Sequence, residues 1–156
     1  LSVRTVRNLL GPCVNPARPP VQLLGVADPK MLRRIAQTLA ALGVRDALVV
    51  HGSGLDEVAL HAETRAIRLS GGELTELEIT PEEAGIERAA LKAVTGGDAE
   101  ENAARLRTIL AGGGGRAEQD IIVLNTAALL LTAGRAATLK EGAQQARDAL
   151  LTGQAG

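Results

Sequence analysis

Asp56 and Glu57 stand side by side, directly after the run Ala47-Leu48-Val49-Val50-His51-Gly52-Ser53-Gly54-Leu55. Adjacent carboxylates repel each other, and a hard divalent cation relieves that repulsion. Magnesium suits the task, because it takes oxygen ligands and is commonly held by one or two carboxylates together with waters and substrate phosphates. Taken alone, an acidic pair in a loop reads more simply as a turn cap beside a solvated side chain, so its surroundings must decide. The two histidines, His51 and His61, lie close in sequence, but neither has a visible partner. Each therefore reads as a surface or hydrogen-bonded residue before it reads as a general base. No Ser/His/Asp grouping suggests a covalent nucleophile.

The elements that must position the pair can be read outward from it. Ala47 to Val50 is an unbroken apolar run rich in β-branched residues, the pattern of a strand buried on both faces. Gly52 and Gly54 break it and allow a tight turn. In open α/β sheets ligands gather beyond the carboxyl ends of strands, which is where this turn falls. Upstream, Val21 to Val26 forms a short strand, Asp28 an N-cap and Pro29 a first helical residue. Leu32, Ile35, Ala36, Leu39 and Leu42 recur at helical spacing, and Gly43 can close that helix. Strand, helix and strand make a βαβ unit with parallel strands.

Downstream, Arg65-Ala66-Ile67-Arg68-Leu69, the turn Ser70-Gly71-Gly72 and the set Leu74, Leu77, Ile79 predict an edge hairpin with one wet face. Thr80 to Glu83 and Asp98 to Glu101 have capping-box spacing, the second opening a helix with the stripe Ala103, Leu106 and Leu110. Gly112 to Gly115 reads as a flexible link between two helices. Asp120 to Ala133 is apolar almost all round and predicts a buried central helix, within which Asn125 requires a hydrogen-bond partner. Thr138 and Glu141 open a last amphipathic helix that ends near Leu151. Residues 1–20 carry Pro12, Pro16, Pro19 and Pro20 and form an irregular connector. The chain as a whole is expected to be one α/β domain over 1–156: a mostly parallel sheet flanked by helices, with an edge hairpin.

Composition narrows the function. The 156 residues are 46% hydrophobic and 22% charged, the profile of a globular chain with a sizeable core. A net charge of −1 without a basic run gives no electrostatic support for binding nucleic acid or anionic lipid. No apolar run approaches a membrane span, and the lone Cys13 excludes an intrachain disulfide, as expected of a cytoplasmic protein. Phe, Tyr and Trp are absent altogether, so the core is built from Leu, Ile, Val and Ala, and any aromatic stacking must come from elsewhere.

The run Leu48 to Val58, with Arg4-Thr5-Val6-Arg7-Asn8-Leu9-Leu10-Gly11-Pro12 through Asn15-Pro16-Ala17-Arg18-Pro19, resembles the anthranilate phosphoribosyltransferases. Gly25-Val26 before Asp28-Pro29, Gly96-Gly97-Asp98-Ala99-Glu100-Glu101-Asn102-Ala103, Leu124-Asn125-Thr126-Ala127-Ala128 and the closing Glu141-Gly142 to Gly153 match in the same order. The resemblance implies the phosphoribosyltransferase and nucleoside phosphorylase fold, and transfer of the phosphoribosyl group of phosphoribosyl pyrophosphate to anthranilate, with release of pyrophosphate, in tryptophan biosynthesis. It implies that Asp56 and Glu57 bind magnesium (Mg2+), and that Gly11 and Pro12 line the approach of anthranilate. Asn8 and Arg18 are expected to be structural, and the family's anthranilate-binding arginine is not assigned to Arg4 or Arg7. Arg7 stands where the family usually carries an aromatic residue.

Neither the family's preceding helical region nor its pyrophosphate loop, Gly-Thr-Gly-Gly-Asp, has a match here. The chain is therefore expected to be the C-terminal part of a larger two-domain enzyme, inactive without the N-terminal half, with homodimers formed in the full-length protein. The rival readings are a related nucleoside phosphorylase, a non-catalytic binding paralogue, and a folded but inactive fragment.

Overall fold

The structure, a computed structural model, describes residue 13 and residues 15–154. Arg4, Arg7, Asn8, Gly11 and Pro12, on which several expectations rest, lie outside the described residues.

Four strands form one sheet in the order β1-β2-β3-β4: β1 is Val21–Gly25, β2 Asp46–His51, β3 Thr64–Ser70 and β4 Glu73–Ile79. Helix α1 (Leu32–Ala41) connects β1 to β2, which pair in parallel, as the βαβ reading requires. Asp28 caps the short helical turn Pro29–Met31 that precedes α1, accepting from the Lys30 N–H at 3.0 Å. The other two pairings, β2 with β3 and β3 with β4, are antiparallel. The sheet of the described residues is thus mixed rather than mostly parallel. The physical reason is local: only twelve residues separate β2 from β3, with no crossover helix among them, so the chain must turn back on itself.

β2 is buried on both faces, as its composition demands, with Ala47, Leu48, Val49 and Val50 all at 3% exposure or less. Side-chain alternation splits the core into two clusters. Ala47 and Val49, with Ile67 and Leu69, meet Leu32, Ile35, Ala36 and Leu39 of α1. Leu48, Val50 and Ala66 face the other way, towards α3 (Arg116–Thr132) and α4 (Leu139–Leu151). A shorter helix α2 (Ala99–Leu110) contributes Ile109 to that second cluster.

Four details of the predicted packing change. Leu42 lies beyond the end of α1 and is 58% exposed, and α2 buries Ile109 while leaving Leu106 exposed. The hairpin lacks a single wet face: Arg65 and Arg68 are three apart and so emerge on opposite faces, while Ala66 and Ile67 enter different clusters. Helix α3 begins four residues earlier than expected and is buried on one side only, through Val123, Leu124, Ala127 and Ala128, with Leu129 exposed. Its buried Asp120 is held by Arg147 of α4 at 2.6 Å and by Arg116 at 3.6 Å.

Candidate metal-binding turn

The turn after β2 closes within four residues. Gly52 and Leu55 exchange both backbone hydrogen bonds, at 2.9 and 3.2 Å. Gly54 adopts φ +104, which glycine alone takes without strain, and Ser53 sits at φ +49. The Ser53 hydroxyl donates to the Glu63 carbonyl at 2.9 Å, which ties the strained residue to the far end of the loop.

His51 serves this turn as a strut. Its Nδ1 lies 2.8 Å from the Val26 carbonyl, and its Nε2 lies 3.3 Å from the Gly54 amide nitrogen. A carbonyl only accepts and an amide N–H only donates, so the ring is the neutral Nδ1–H tautomer with both nitrogens engaged. The imidazole therefore links the ends of β1 and β2 to the turn, in agreement with a hydrogen-bonded rather than a catalytic histidine. His61 is engaged at one nitrogen only: its Nε2 lies 3.3 Å from the Ser53 carbonyl, while its buried Nδ1 has no hydrogen-bond partner among the described residues.

Asp56 and Glu57 follow this turn, and both residues are exposed. Among the described residues, no hydrogen bond or ion pair engages either carboxylate, and no arginine ties them down. Desolvation by the surrounding protein, and then the neighbouring Asp56 charge, push the Glu57 carboxyl above its ordinary range. A cleft of about 280 Å³ lined by Pro29, His51, Ser53, Glu63, Arg65 and Glu78 opens beside the same turn, although neither carboxylate lines it.

While the side chains have no partner among the described residues, the backbone that carries them is tightly held. Gly25, at the end of β1, faces the Asp56 backbone so closely that a Cβ there would overlap the Asp56 carbonyl and stand 2.9 Å from its Cα. Gly52 faces the Glu57 carbonyl and the Ala59 amide in the same manner. Val58 is clamped by the Asn125 carboxamide of α3: its N–H donates to Oδ1 at 2.9 Å, and its carbonyl accepts from Nδ2 at 3.0 Å. The Ala59 N–H donates to the buried Thr64 hydroxyl at 2.8 Å.

Asn125 thus has the partner that its place in an apolar helix demanded. Gly25 and Thr64 are the residues that reading the sequence missed. Gly25 carried a signal, a glycine ending a strand where a bulkier residue would pack better, which often marks close approach of another backbone segment.

Among the described residues no group of three or more His, Cys, Asp or Glu side chains converges. A cation at this turn would therefore take two carboxylates from the chain and the rest of its shell from water and ligand oxygens. That is the habit of magnesium, and two like charges with no cationic partner fit it.

Comparison with known proteins places the chain in a family. The glycosyl transferase family a/b-domain model matches residues 1–156. An anthranilate phosphoribosyltransferase from Sorangium cellulosum is 52% identical over 155 residues, which is 99% of this chain and 44% of that protein. The enzyme of the same name from Aeromonas salmonicida is 47% identical, with 99% and 46% covered. The crystal structure of anthranilate phosphoribosyltransferase from Thermus thermophilus superimposes with a TM-score of 0.89 at 43% identity, over 99% of this chain and 45% of that one. The Saccharomyces cerevisiae enzyme in complex with PRPP and Mg gives 0.85 at 28% identity, over 98% and 44%. The chain spans a little under half the length of the curated relatives it matches.

Proposed function

The chain belongs to the glycosyl transferase family, a/b domain, and from that premise we propose that it supplies the metal-binding half of an anthranilate phosphoribosyltransferase. The reaction is transfer of the phosphoribosyl group of phosphoribosyl pyrophosphate to the amine of anthranilate, with release of pyrophosphate. The observation that carries the proposal is the Asp56–Glu57 couple, without an ion-pair partner among the described residues, on a backbone packed against Gly25 and Gly52 and clamped at Val58 by Asn125. Yeast and bacterial relatives of the same name, one of them in complex with PRPP and Mg, support it.

In this reading Asp56 and Glu57 hold magnesium against the pyrophosphate. The ion supplies positive charge where the leaving group gains negative charge, a Lewis-acid and positioning contribution. The protein's own task is geometric. Gly25 and Gly52 admit the backbone of the pair close to the strands, and the neutral His51 braces the turn. No covalent nucleophile is required, since the amine of anthranilate is the attacking group.

Gly112 to Gly115 links α2 to α3 and follows no strand, so the family's pyrophosphate loop is assigned to residues outside these 156. Turnover accordingly requires an N-terminal half, and the complete enzyme is proposed to be cytosolic and dimeric. Gly11 and Pro12 are proposed to border the anthranilate site.

The test is the double substitution D56N and E57Q in the full polypeptide. Turnover should fall, and the magnesium concentration for half-maximal rate should rise by about tenfold or more. An unchanged rate and an unchanged magnesium dependence would overturn the metal assignment.

A further inference from the structure

Asn125 sits on α3, 67 positions from Val58 in sequence, yet its carboxamide is spent on that residue's backbone at both ends. The same Nδ2 also donates to the Ile121 carbonyl at 3.0 Å, one turn earlier in α3. Val58 is wholly buried, lies outside every strand and directly follows Glu57. The side chain therefore does for Val58 what a neighbouring strand would do, offering one acceptor and one donor in register. Two bonds to a single residue fix it in rotation as well as in translation. A side chain needed only to fill this part of the core would have been aliphatic, like its neighbour Leu124.

We propose that Asn125 is a positioning residue for the acidic pair: by clamping Val58 to α3 it sets where the Glu57 carboxylate stands, and so the affinity for a divalent cation bound together with pyrophosphate. The inference rests on the reading of Asp56 and Glu57 as metal ligands. It adds that α3, which contributes neither carboxylate, controls their placement. Gly25 bounds the adjacent Asp56 backbone from β1.

The probe is Mn2+ titrated by electron paramagnetic resonance in the presence of inorganic pyrophosphate, using the full polypeptide. N125D keeps the shape and the acceptor but loses the donor to Val58. N125S removes the amide and leaves room for a water to satisfy Val58, so its fold is preserved while the geometry is released. Both variants should bind Mn2+ about 10- to 100-fold more weakly at temperatures where circular dichroism matches the parent. Adding N125S to the D56N and E57Q background should then weaken binding no further.

A folded N125S with the parent's Mn2+ affinity, in a protein that D56N and E57Q do weaken, would overturn the positioning role alone. So would a weakening by N125S that persists when both carboxylates are gone. If D56N and E57Q leave Mn2+ binding unchanged, the metal reading itself falls, and the role of Asn125 falls with it.

Discussion

Replacing Gly25 with Ala tests whether the acidic pair is located by the approach of two backbone segments. Gly25 does not adopt a positive φ, so alanine suits its conformation and only space opposes the change. A methyl group there would overlap the Asp56 carbonyl and stand 2.9 Å from Asp56 Cα. Non-bonded carbons settle at about 3.5–4.0 Å, so relief at Cα alone requires a movement of roughly 0.6–1.1 Å, and the carbonyl requires more. β1 is poorly placed to yield, since it pairs with β2 along its length and is tied at Val26 to Val50 by a 2.9 Å hydrogen bond. The turn must therefore retreat.

Misplacing a reacting group by about 1 Å costs on the order of 100-fold in rate, or roughly 2.7 kcal/mol of transition-state stabilisation. The overpacking itself should cost about 1–3 kcal/mol of folding stability. The assay is steady-state turnover of the full polypeptide across a range of magnesium concentrations, beside Gly72→Ala as control. Gly72 has φ +90 with nothing near its would-be Cβ, in the hairpin turn at the other end of β3 from the loop that carries the pair. The control should lose stability through backbone strain alone and keep the parent's magnesium dependence. A folded G25A enzyme with parental kcat/KM and magnesium dependence would refute the reasoning.

Thr64→Val should destabilise the chain by about 1–3 kcal/mol, because the buried Ala59 N–H loses its acceptor; equal urea midpoints for variant and parent would contradict this. Arg147→Ala should cost an amount near the low end of ~3–5 kcal/mol, since Asp120 stays buried with only the longer Arg116 contact while Arg147 itself is one-third exposed; urea denaturation near neutral pH reads it. Hydrogen bonds from Arg45 and then Ser70 hold the Asp46 carboxyl below its ordinary value of 3.8. A lowered carboxyl stabilises the fold above its unfolded value, and that contribution is lost as pH falls below 3.8. The acid-side loss of stability should therefore be shallower in Asp46→Asn than in the parent, as followed by thermal melts in that range.

Much of the architecture was legible because short-range pattern and burial agree. The four-residue apolar run could only be a strand covered on both faces. Asp28-Pro29, Asp98 with Glu101 and Thr138 each announced a helix start that the backbone N–H groups then use. Asn125 was marked as needing a partner by its polarity within an apolar helix. The hairpin was visible in its turn glycines, whereas its two-sided burial was not, because two arginines three apart imitate alternation without keeping its phase.

What the residues determined by themselves is the chemistry on offer: two adjacent carboxylates after a glycine turn, no Ser/His/Asp grouping, no basic run and no aromatic residue. What the tertiary structure decided is where those carboxylates are held. That depends on Gly25 meeting the Asp56 backbone and on Asn125 meeting Val58 across long stretches of chain, and no local propensity encodes which backbone a missing side chain makes room for. A glycine in sequence states only an absence; folding turns that absence into a fixed distance.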